Sequence, residues 1–296
     1  MRVLISSNPV NLKAADPQVT VEAEYGDLVV EGSVATFAHH GPRSDHPVPC
    51  VDARLLEVVK TLRAGDPWVE PVKFGLSHFD LDTLGALMVL MGYREDLETD
   101  SGFWNLAAKA DMGPHRLDRE DPDHPFIAAY WAWSEEHRVY APRDGSVLEI
   151  TKEVDEAALV IADILCGDPD KVEDGRVFLA NENALNGASF RGVKDSVIGR
   201  VSDQFTNHLY AVPDGTVFKA VVALNTAQKS VTVSLESPID GISCRQVVQD
   251  LWGMEAGGHE GIAGSPRDRE MTEADFEAAL NAMAKVVPPM PFVPKG

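Results

Sequence analysis

Cysteine is scarce in this sequence, and its distribution excludes two common kinds of small domain. Only Cys50, Cys166 and Cys244 occur among the 296 residues. Their number is odd and they lie far apart, so they form neither a disulfide framework nor the close pairs of a zinc finger. Such scarcity is typical of a protein from a reducing compartment, and we expect the chain to be cytoplasmic.

Basic residues are also few. The chain has 26 lysines and arginines against 47 aspartates and glutamates, which gives a formal net charge of −21. Such a field repels polyanions, so we expect neither a long nucleic acid nor a membrane as a partner. A small anionic substrate is still compatible, because a bound cation dominates its own site. The alternative is that the acidity serves only solubility. The composition leaves a homodimer open.

Long hydrophobic runs are the third absence. No window approaches the ~20 apolar residues of a membrane span. The first residues lack the apolar core of a signal peptide, which again favours the cytoplasm. A hydrophobic content of 44% and a charged content of 25% are ordinary for a globular protein. A length of 296 residues suggests two domains.

The hydrophobic pattern of the first 187 residues alternates between strands and helices. It predicts strands at Val19–Glu24, Ser33–Ala38 and Val69–Leu76, and helices at Val51–Arg63 and Leu84–Met91. This alternation favours the α/β class, with a doubly wound, mostly parallel sheet in the N-terminal domain.

The pattern changes near Asn186 and Gly187, after which strands dominate. Two helices follow these strands, the second with Thr272 and Asp275 in a capping box. We therefore predict a first domain at 1–187 and a smaller C-terminal α+β domain at 188–296. The strands predicted in the second domain are Val197–Val201, His208–Val212, Val217–Leu224 and Val231–Leu235, of which the last two form a hairpin.

One imidazole and two carboxylates lie where the strand ending at Leu76 turns into the helix that begins near Leu84. His78, Asp80 and Asp82 occupy alternate positions there. A strand end of this kind lies in the crevice where open α/β sheets bind ligands. The three side chains suit a hard divalent ion such as Mn²⁺. The alternative is that one acid only caps the helix, but a cap does not explain all three residues.

A second pair of imidazoles, His39 and His40, follows the strand predicted at Ser33–Ala38 and precedes Gly41 and Pro42. Adjacent residues of an extended chain point in opposite directions, so we expect only one of the two imidazoles to reach a given ion. A solvated loop is the alternative interpretation.

Asp111 and His115 form a third candidate pair. Gly113 and Pro114 between them permit a tight bend that would bring both side chains to one ion. Alternatively, Asp111 merely ends one helix and His115 begins a loop.

A glycine-rich loop in the second domain is the remaining candidate. Gly257, Gly258, His259, Gly261 and Gly264 lie between two predicted helices. Close glycines let backbone N–H groups approach an anion, and the imidazole can bond to a phosphate or carboxylate. Arg191, Arg200 and Arg245 are further candidate anion partners, with an ordinary surface position as the alternative for each.

These motifs together resemble the DHH phosphoesterase superfamily. The run from His78 to Asp82, followed by a Gly-Ala helix, looks like the family's first metal motif. The stretch Val233–Ser237, a helix from Arg245 and the loop 257–264 resemble the DHH-associated domain, and the order of the two domains agrees. The resemblance covers about half of the chain.

Two features depart from the family pattern. The Asp-His-His signature is missing, and its nearest equivalent, Ala38-His39-His40, lies upstream of the first motif. Either the N-terminal lobe is rearranged so that its loop reaches the site from the other direction, or Asp111 and His115 replace the signature. The arginine of the associated domain is Glu236 here.

The resemblance implies a metal-dependent phosphohydrolase that acts on a small phosphorylated or nucleotide substrate in an interdomain cleft. Its cofactor would be Mn²⁺, or Mg²⁺ or Co²⁺, as two ions. The implied metal ligands are His78, Asp80, Asp82, Asp111, His39 and His40. The implied catalytic residues are Asp80, Asp82, His40 and His115, and the implied substrate-binding residues are Gly257, Gly258, His259 and Gly261.

Two other functional classes stay open at this point. A relative that kept the fold and binds a nucleotide or metabolite without turnover would be consistent with Ala38 and Glu236. A protein–protein interaction module with a structural metal is the third hypothesis.

Overall fold

The structure, a computed structural model, describes residues 1–64, 71–113 and 120–289. The fold is mixed α/β, as the alternating pattern predicted. The helices are α1 (Pro9–Ala14), α2 (Arg54–Ala64), α3 (Leu81–Met91), α4 (Ser101–Asp111), α5 (His124–His137), α6 (Thr151–Leu165), α7 (Pro169–Ser189), α8 (Cys244–Trp252) and α9 (Glu273–Val286). The strands are β1 (Arg2–Ile5), β2 (Val19–Val21), β3 (Glu24–Tyr25), β4 (Leu28–Val29), β5 (Ala35–Phe37), β6 (Lys73–Leu76), β7 (Leu148–Glu149), β8 (Phe190–Lys194), β9 (Val197–Ser202), β10 (Ala220–Asn225), β11 (Ser230–Leu235), β12 (Gly257–Gly258) and β13 (Ile262–Gly264).

The chain divides into two compact units. The first contains Met1–Met112 and Arg116–Ala180, and the second contains Gly113–His115 and Asn181–Gly296. The division falls within helix α7, the helix that also contains the boundary predicted at residue 187.

A five-stranded sheet in the order β5-β2-β6-β1-β7 forms the centre of the first unit. Strands β5, β2, β6 and β1 run parallel, and the short edge strand β7 runs antiparallel to β1. Because the four parallel strands share one direction, their carboxyl ends meet at the same edge of the sheet.

Both faces of strand β1 are buried. Val3 and Ile5 belong to the large core cluster, which also contains residues of helices α3 to α6. Leu4 points to the other face and belongs to a smaller cluster with Leu12 of α1 and Tyr25. This burial on both faces explains the continuous apolar run of the strand.

Helix α3 follows β6 and is the most deeply buried helix of the first unit. Every residue from Leu81 to Leu90 is buried. Asp80 caps its start by accepting hydrogen bonds from the backbone N–H and the hydroxyl of Thr83, at 3.3 and 2.8 Å. Gly92, with φ 88°, ends the helix in the left-handed conformation that favours glycine.

The second unit contains a six-stranded sheet in the order β12-β13-β11-β10-β9-β8. Strands β9 and β10 are parallel, and the other neighbours are antiparallel. The predicted hairpin is confirmed as β10 and β11, and the predicted capping box is confirmed at Thr272 and Asp275. Residues of α8 and α9 share one core cluster with β9, β10 and β11.

Arg200 of β9 is completely buried in the second unit. Its Nε donates to the carbonyl of Leu209 at 2.7 Å, and its two Nη atoms donate to Asn186, Ser189 and the carbonyl of Ala211. All five N–H donors of a guanidinium are thereby satisfied by neutral acceptors. Both interpretations of Arg200 from the sequence are therefore wrong: it is neither exposed nor available to an anion.

Two predicted strands differ from the structure. The strand predicted at Val19–Glu24 ends at Val21, because Glu22 adopts a left-handed backbone with φ 48°. The strand predicted at His208–Val212 does not form: Ala211 makes one isolated bridge to Val217. The carbonyls of residues 209 and 211 bond to Arg200, which competes with a regular ladder.

Residues 65–70 lie outside the described ranges, so the first part of the strand predicted at Val69–Leu76 does too; β6 begins at Lys73. Among the helices of the described ranges, none combines the length and the apolar character needed to cross a bilayer.

Candidate metal centre

The predicted imidazoles follow neighbouring strands at the carboxyl edge of the parallel sheet. His39 and His40 come shortly after β5, and His78 comes shortly after β6. Strand β2 lies between these two strands, and Glu22 follows it directly. The topology therefore brings together residues that are up to about 60 positions apart in sequence.

Glu22 is the centre of this arrangement, and the sequence analysis missed it. Its side chain is fully buried, and its carboxylate lies 2.7 Å from Nε2 of His78 and 3.4 Å from Nε2 of His40. It also makes a close ion pair with Nε2 of His39. The available signal was a glutamate directly after a short buried strand. The alternation of Val19–Glu24 concealed it by suggesting a polar position within the strand.

His39 and His40 both contact Glu22, while the expectation that only one of the two imidazoles reaches a given ion stays a prediction. The strand ends at Phe37, before the two histidines. Their backbone N–H groups both donate to the carboxylate of Glu24, at 3.2 and 3.0 Å. Successive N–H groups of an extended strand point to opposite sides, so this shared acceptor shows that strand geometry does not continue here.

His78 and Asp80 lie together beside Glu22. Nε2 of His78 is 3.3 Å from Oδ2 of Asp80, while Nδ1 of the same ring is 3.0 Å from the hydroxyl of Ser77. Since Asp80 uses its Oδ1 to cap α3, the capping interpretation and the metal interpretation of this residue are compatible.

Asp82 lies in the first turn of α3 and is only 2% exposed. Neither of its carboxylate oxygens receives a hydrogen bond from a residue of the described chain. Burial and the repulsion of Asp80, Glu22 and Asp111 raise the pKa of this carboxyl well above its usual range. A buried acid among other acids is costly unless a cation accompanies it.

Asp111, the last residue of α4, completes the cluster. Its Oδ2 lies 3.2 Å from Nε2 of His39. The loop of His39 and His40 and the end of α4 therefore lie at the same place. His115, the predicted partner of Asp111, lies outside the described residues.

We call these seven residues the edge cluster: Glu22, His39, His40, His78, Asp80, Asp82 and Asp111. Within it, His39, His40 and Asp111 have ligand atoms that all lie within 4.8 Å of one another, and the same holds for three further, overlapping groups. The groups are Glu22 with His40 and His78, Glu22 with His39 and Asp82, and Asp80 with Asp82 and Asp111. Imidazole nitrogens and carboxylate oxygens are the donors that Mn²⁺ and related divalent ions accept, so the residues present fit such ions.

Opposite charges inside the edge cluster shift two further groups. Burial alone would raise the pKa of Glu22, but His40, His39 and His78 hold it well below its usual range. Burial alone would lower the pKa of His39, but the attraction of Glu22 and hydrogen bonds with Asp111 and Glu22 raise it to about 11. Without an ion, an imidazolium thus supplies part of the positive charge that the carboxylates require.

Exposure distinguishes a floor and a rim in the edge cluster. Glu22 and His39 have fully buried side chains, and Asp82 is nearly as buried. The side chains of His78 and Asp80 are 20% and 32% exposed, and those of His40 and Asp111 are 14% and 18% exposed. An incoming ligand therefore meets the rim residues first.

The predicted glycine loop lies in the second unit. Gly257 and Gly258 form β12 and pair with Gly264 and Ala263 of β13. A Cβ at Gly258, whose φ is 137°, would lie 2.6 Å from the carbonyl of Ile262, so this close approach requires glycine.

The other predicted loop residues are tied to the same sheet. The backbone N–H of His259 donates to the carbonyl of Ile262 at 2.7 Å, and the carbonyl of Gly261 accepts from Leu235 at 2.8 Å. His259 is buried. The role of these four residues in substrate binding stays a prediction.

The chain was compared with models of protein families and with curated proteins, and no match was found in either comparison.

Proposed function

We propose that the protein is a divalent-metal-dependent hydrolase of phosphoesters or phosphoanhydrides, related to the DHH phosphoesterases. In this proposal a doubly wound α/β domain carries the metal centre, and a smaller α+β domain binds part of the substrate. The observation that carries the proposal is Asp82, a buried carboxylate that receives no hydrogen bond from the described chain and is surrounded by three other acids.

The donor sets suit two ion positions of different chemistry. His40 and His78 with Glu22 offer two nitrogens and a carboxylate, whereas Asp80, Asp82 and Asp111 offer oxygen only. Mn²⁺ or Co²⁺ would accept the first set, and Mn²⁺ or Mg²⁺ the second. Glu22 belongs to the first set and Asp82 to the second, and the two lie together in a further group with His39. They are therefore the candidates for ligands common to both positions.

Two ions held by these residues would supply an activated water at neutral pH and would stabilise the charge that develops on phosphoryl oxygens. The residues of the chain keep this arrangement in place. Glu22, His39 and Asp82 form a floor from which water is largely excluded, which strengthens every electrostatic interaction there. His40 lies at the rim, where an imidazole can deliver a proton to the leaving oxygen.

The overall charge favours a small substrate. A net charge of −21 repels a long polyanion, whereas bound cations attract one or two phosphates locally. Short nucleotides, cyclic dinucleotides and other phosphorylated metabolites fit this requirement.

The test begins with elemental analysis of protein purified without chelator and then reconstituted with Mn²⁺. We expect two ions per chain and hydrolysis of at least one member of a panel containing bis(p-nitrophenyl) phosphate, pyrophosphate and a short dinucleotide. EDTA and the Asp82→Asn variant should abolish the hydrolysis. The control variant Asp163→Asn changes an exposed acid of α6 and should behave as the wild type.

Other outcomes identify the alternative classes. Protein that binds metal and substrate but hydrolyses no member of the panel would be the non-catalytic relative. Wild-type protein that binds no divalent ion would overturn the proposal, as would full activity in both Asp80→Ala and His78→Ala.

A further inference from the structure

Ser77 contacts three polar groups beside the edge cluster and is itself completely buried. Its hydroxyl makes a short hydrogen bond with the backbone carbonyl of Glu22. The backbone N–H of Glu24 lies 3.3 Å from the same hydroxyl oxygen, and Nδ1 of His78 lies 3.0 Å from it. The residue thus connects the end of β6 to the segment that follows β2.

The proton of the hydroxyl has one consistent position. A serine hydroxyl carries one proton and two lone pairs, a backbone carbonyl only accepts, and a backbone N–H only donates. The short contact between the hydroxyl and the Glu22 carbonyl joins two oxygens, so the proton must lie between them. The N–H of Glu24 then donates to one lone pair of the Ser77 oxygen.

This assignment determines the state of the neighbouring ring. Nδ1 of His78 faces an oxygen that has no proton left to give, so Nδ1 must carry a proton and donate it. We infer that Ser77 is a positioning residue, which holds the metal-bound imidazole of His78 in the Nδ1–H tautomer and directs the Nε2 lone pair to the ion.

The direction of Nε2 agrees with this role. It lies 2.7 Å from Oε2 of Glu22 and 3.3 Å from Oδ2 of Asp80, so this nitrogen faces the carboxylates that would share its ion. Groups that fix the tautomer of a ligating histidine are worth about 10- to 100-fold in metal affinity. The inference rests on the proposed function, since it assigns a supporting residue to the same metal centre.

The test uses protein labelled with ¹⁵N in its histidines and loaded with Zn²⁺, which is diamagnetic and binds imidazole. Long-range ¹H–¹⁵N correlation spectra report which ring nitrogen carries the proton, and the His78→Gln variant assigns the signal. We expect protonated Nδ1 in the wild type. In Ser77→Ala we expect a changed Nδ1 signal and a loss of Mn²⁺ affinity of about 10- to 100-fold by calorimetry.

Ser77→Thr keeps a hydroxyl and is the matched control, with the tautomer retained and most of the affinity restored. Should the added methyl group impair folding, Ser77→Cys gives an intermediate loss, because a thiol is a weaker partner. Unfolding midpoints of the ion-free variants separate a folding defect from a change of tautomer, which a purely structural serine would not produce.

Two results overturn the inference. One is a wild-type protein that binds Zn²⁺ with Nδ1 of His78 unprotonated, and the other is Ser77→Ala with unchanged spectrum and affinity. Both leave the proposed function intact. Wild-type protein that binds neither Zn²⁺ nor Mn²⁺ overturns the proposed function as well.

Discussion

Two buried charged residues, Arg200 in the second unit and Asp82 in the first, have different surroundings. In the second unit, the five N–H donors of Arg200 are satisfied by neutral oxygens of the same unit. In the first unit, the carboxylate of Asp82 receives no hydrogen bond from the described chain, and Asp80, Glu22 and Asp111 repel its charge. The first arrangement is complete without a ligand, whereas our proposal assigns a cation to the second.

The comparison shows why burial of a charged residue alone does not indicate function. Arg200 holds the end of helix α7 and the segment around residues 209–211 together, which is a structural role. The burial that lowers the pKa of Arg200 to about 10 leaves it protonated at neutral pH. Asp82 receives no comparable set of hydrogen bonds from the described chain. A candidate metal site differs from a buried structural network in two ways. Its carboxylates lack hydrogen-bond donors, and its nitrogen and oxygen atoms lie at distances that suit a shared ion.

The largest expected effect on stability comes from removing the guanidinium of Arg200. Arg200→Met leaves the carbonyls of Leu209 and Ala211 and the polar groups of Asn186 and Ser189 without their donor. We expect the free energy of unfolding to fall by about 3–5 kcal/mol, the usual cost of breaking a buried charged network. Urea unfolding measures this loss, and Arg191→Met, which changes an exposed arginine of β8, should cost little.

The same variant should keep its Mn²⁺ affinity at temperatures where it stays folded. If Arg200→Met unfolds at the wild-type midpoint, the guanidinium is not the structural centre that its hydrogen bonds indicate.

We expect the substitution of Asp82 to have the opposite effect on stability. Asp82→Asn removes a buried acid and introduces an amide donor for the surrounding carboxylates. We expect the ion-free protein to become more stable at neutral pH, by about 1.4 kcal/mol for each unit by which folding raises the pKa of this carboxyl. The Mn²⁺ affinity should fall by roughly a hundredfold or more, which corresponds to about 2.7 kcal/mol. Thermal unfolding with and without Mn²⁺ measures both effects.

Such a pair of opposite changes is typical of a functional site that costs the fold stability. Destabilisation of the ion-free protein by Asp82→Asn would instead give Asp82 a structural role like that of Arg200.

The sequence predicts the surroundings of Asp82 better than those of Arg200. His78, Asp80 and Asp82 were predicted from one local corner between a strand and a helix, because all their determinants lie within a few residues. His39, His40 and Asp111 were recognised as candidates. Their meeting depends on the order of the strands, which no local pattern specifies.

Glu22 and Arg200 show what local patterns miss. Glu22 was assigned to a strand because the alternation continues through it, whereas its left-handed backbone ends the strand. Arg200 was expected on the surface or near an anion because a charged residue is rarely buried. Its acceptors come from residues 186–189 and 209–211, which are brought together only by the tertiary structure.

The affinity of the edge cluster for an ion should depend on pH. The ion-free edge cluster holds protons near neutrality, because the pKa of His39 is raised to about 11 and that of Asp82 is raised well above its usual range. An ion must displace these protons, so its affinity falls as the pH falls. We expect a change of about tenfold per pH unit for each displaced proton.

Calorimetry in buffers of different ionisation enthalpy counts the protons released on Mn²⁺ binding. A release of one to two protons would agree with the assignment, whereas an affinity that is constant between about pH 6 and about pH 8 would contradict it.

The smallest effect is expected at Glu24, which holds the edge cluster without belonging to it. Its buried carboxylate accepts the backbone N–H groups of both His39 and His40. Glu24→Gln keeps the shape but places an amide group opposite one of these donors, so one imidazole should lose its fixed position. We expect the Mn²⁺ affinity to fall by about tenfold, the lower end of the usual effect of supporting residues.

Glu31→Gln is the matched control for Glu24, because it removes an exposed carboxylate that pairs with Arg43 at 2.8 Å. Exposed pairs contribute little, and the affinity should not change. Equal Mn²⁺ affinities in Glu24→Gln and the wild type would mean that Glu24 does not position the imidazoles of His39 and His40. The carboxylate of Glu24 would then have a structural role like that of Arg200, and only residues of the edge cluster itself would determine the affinity for the ion.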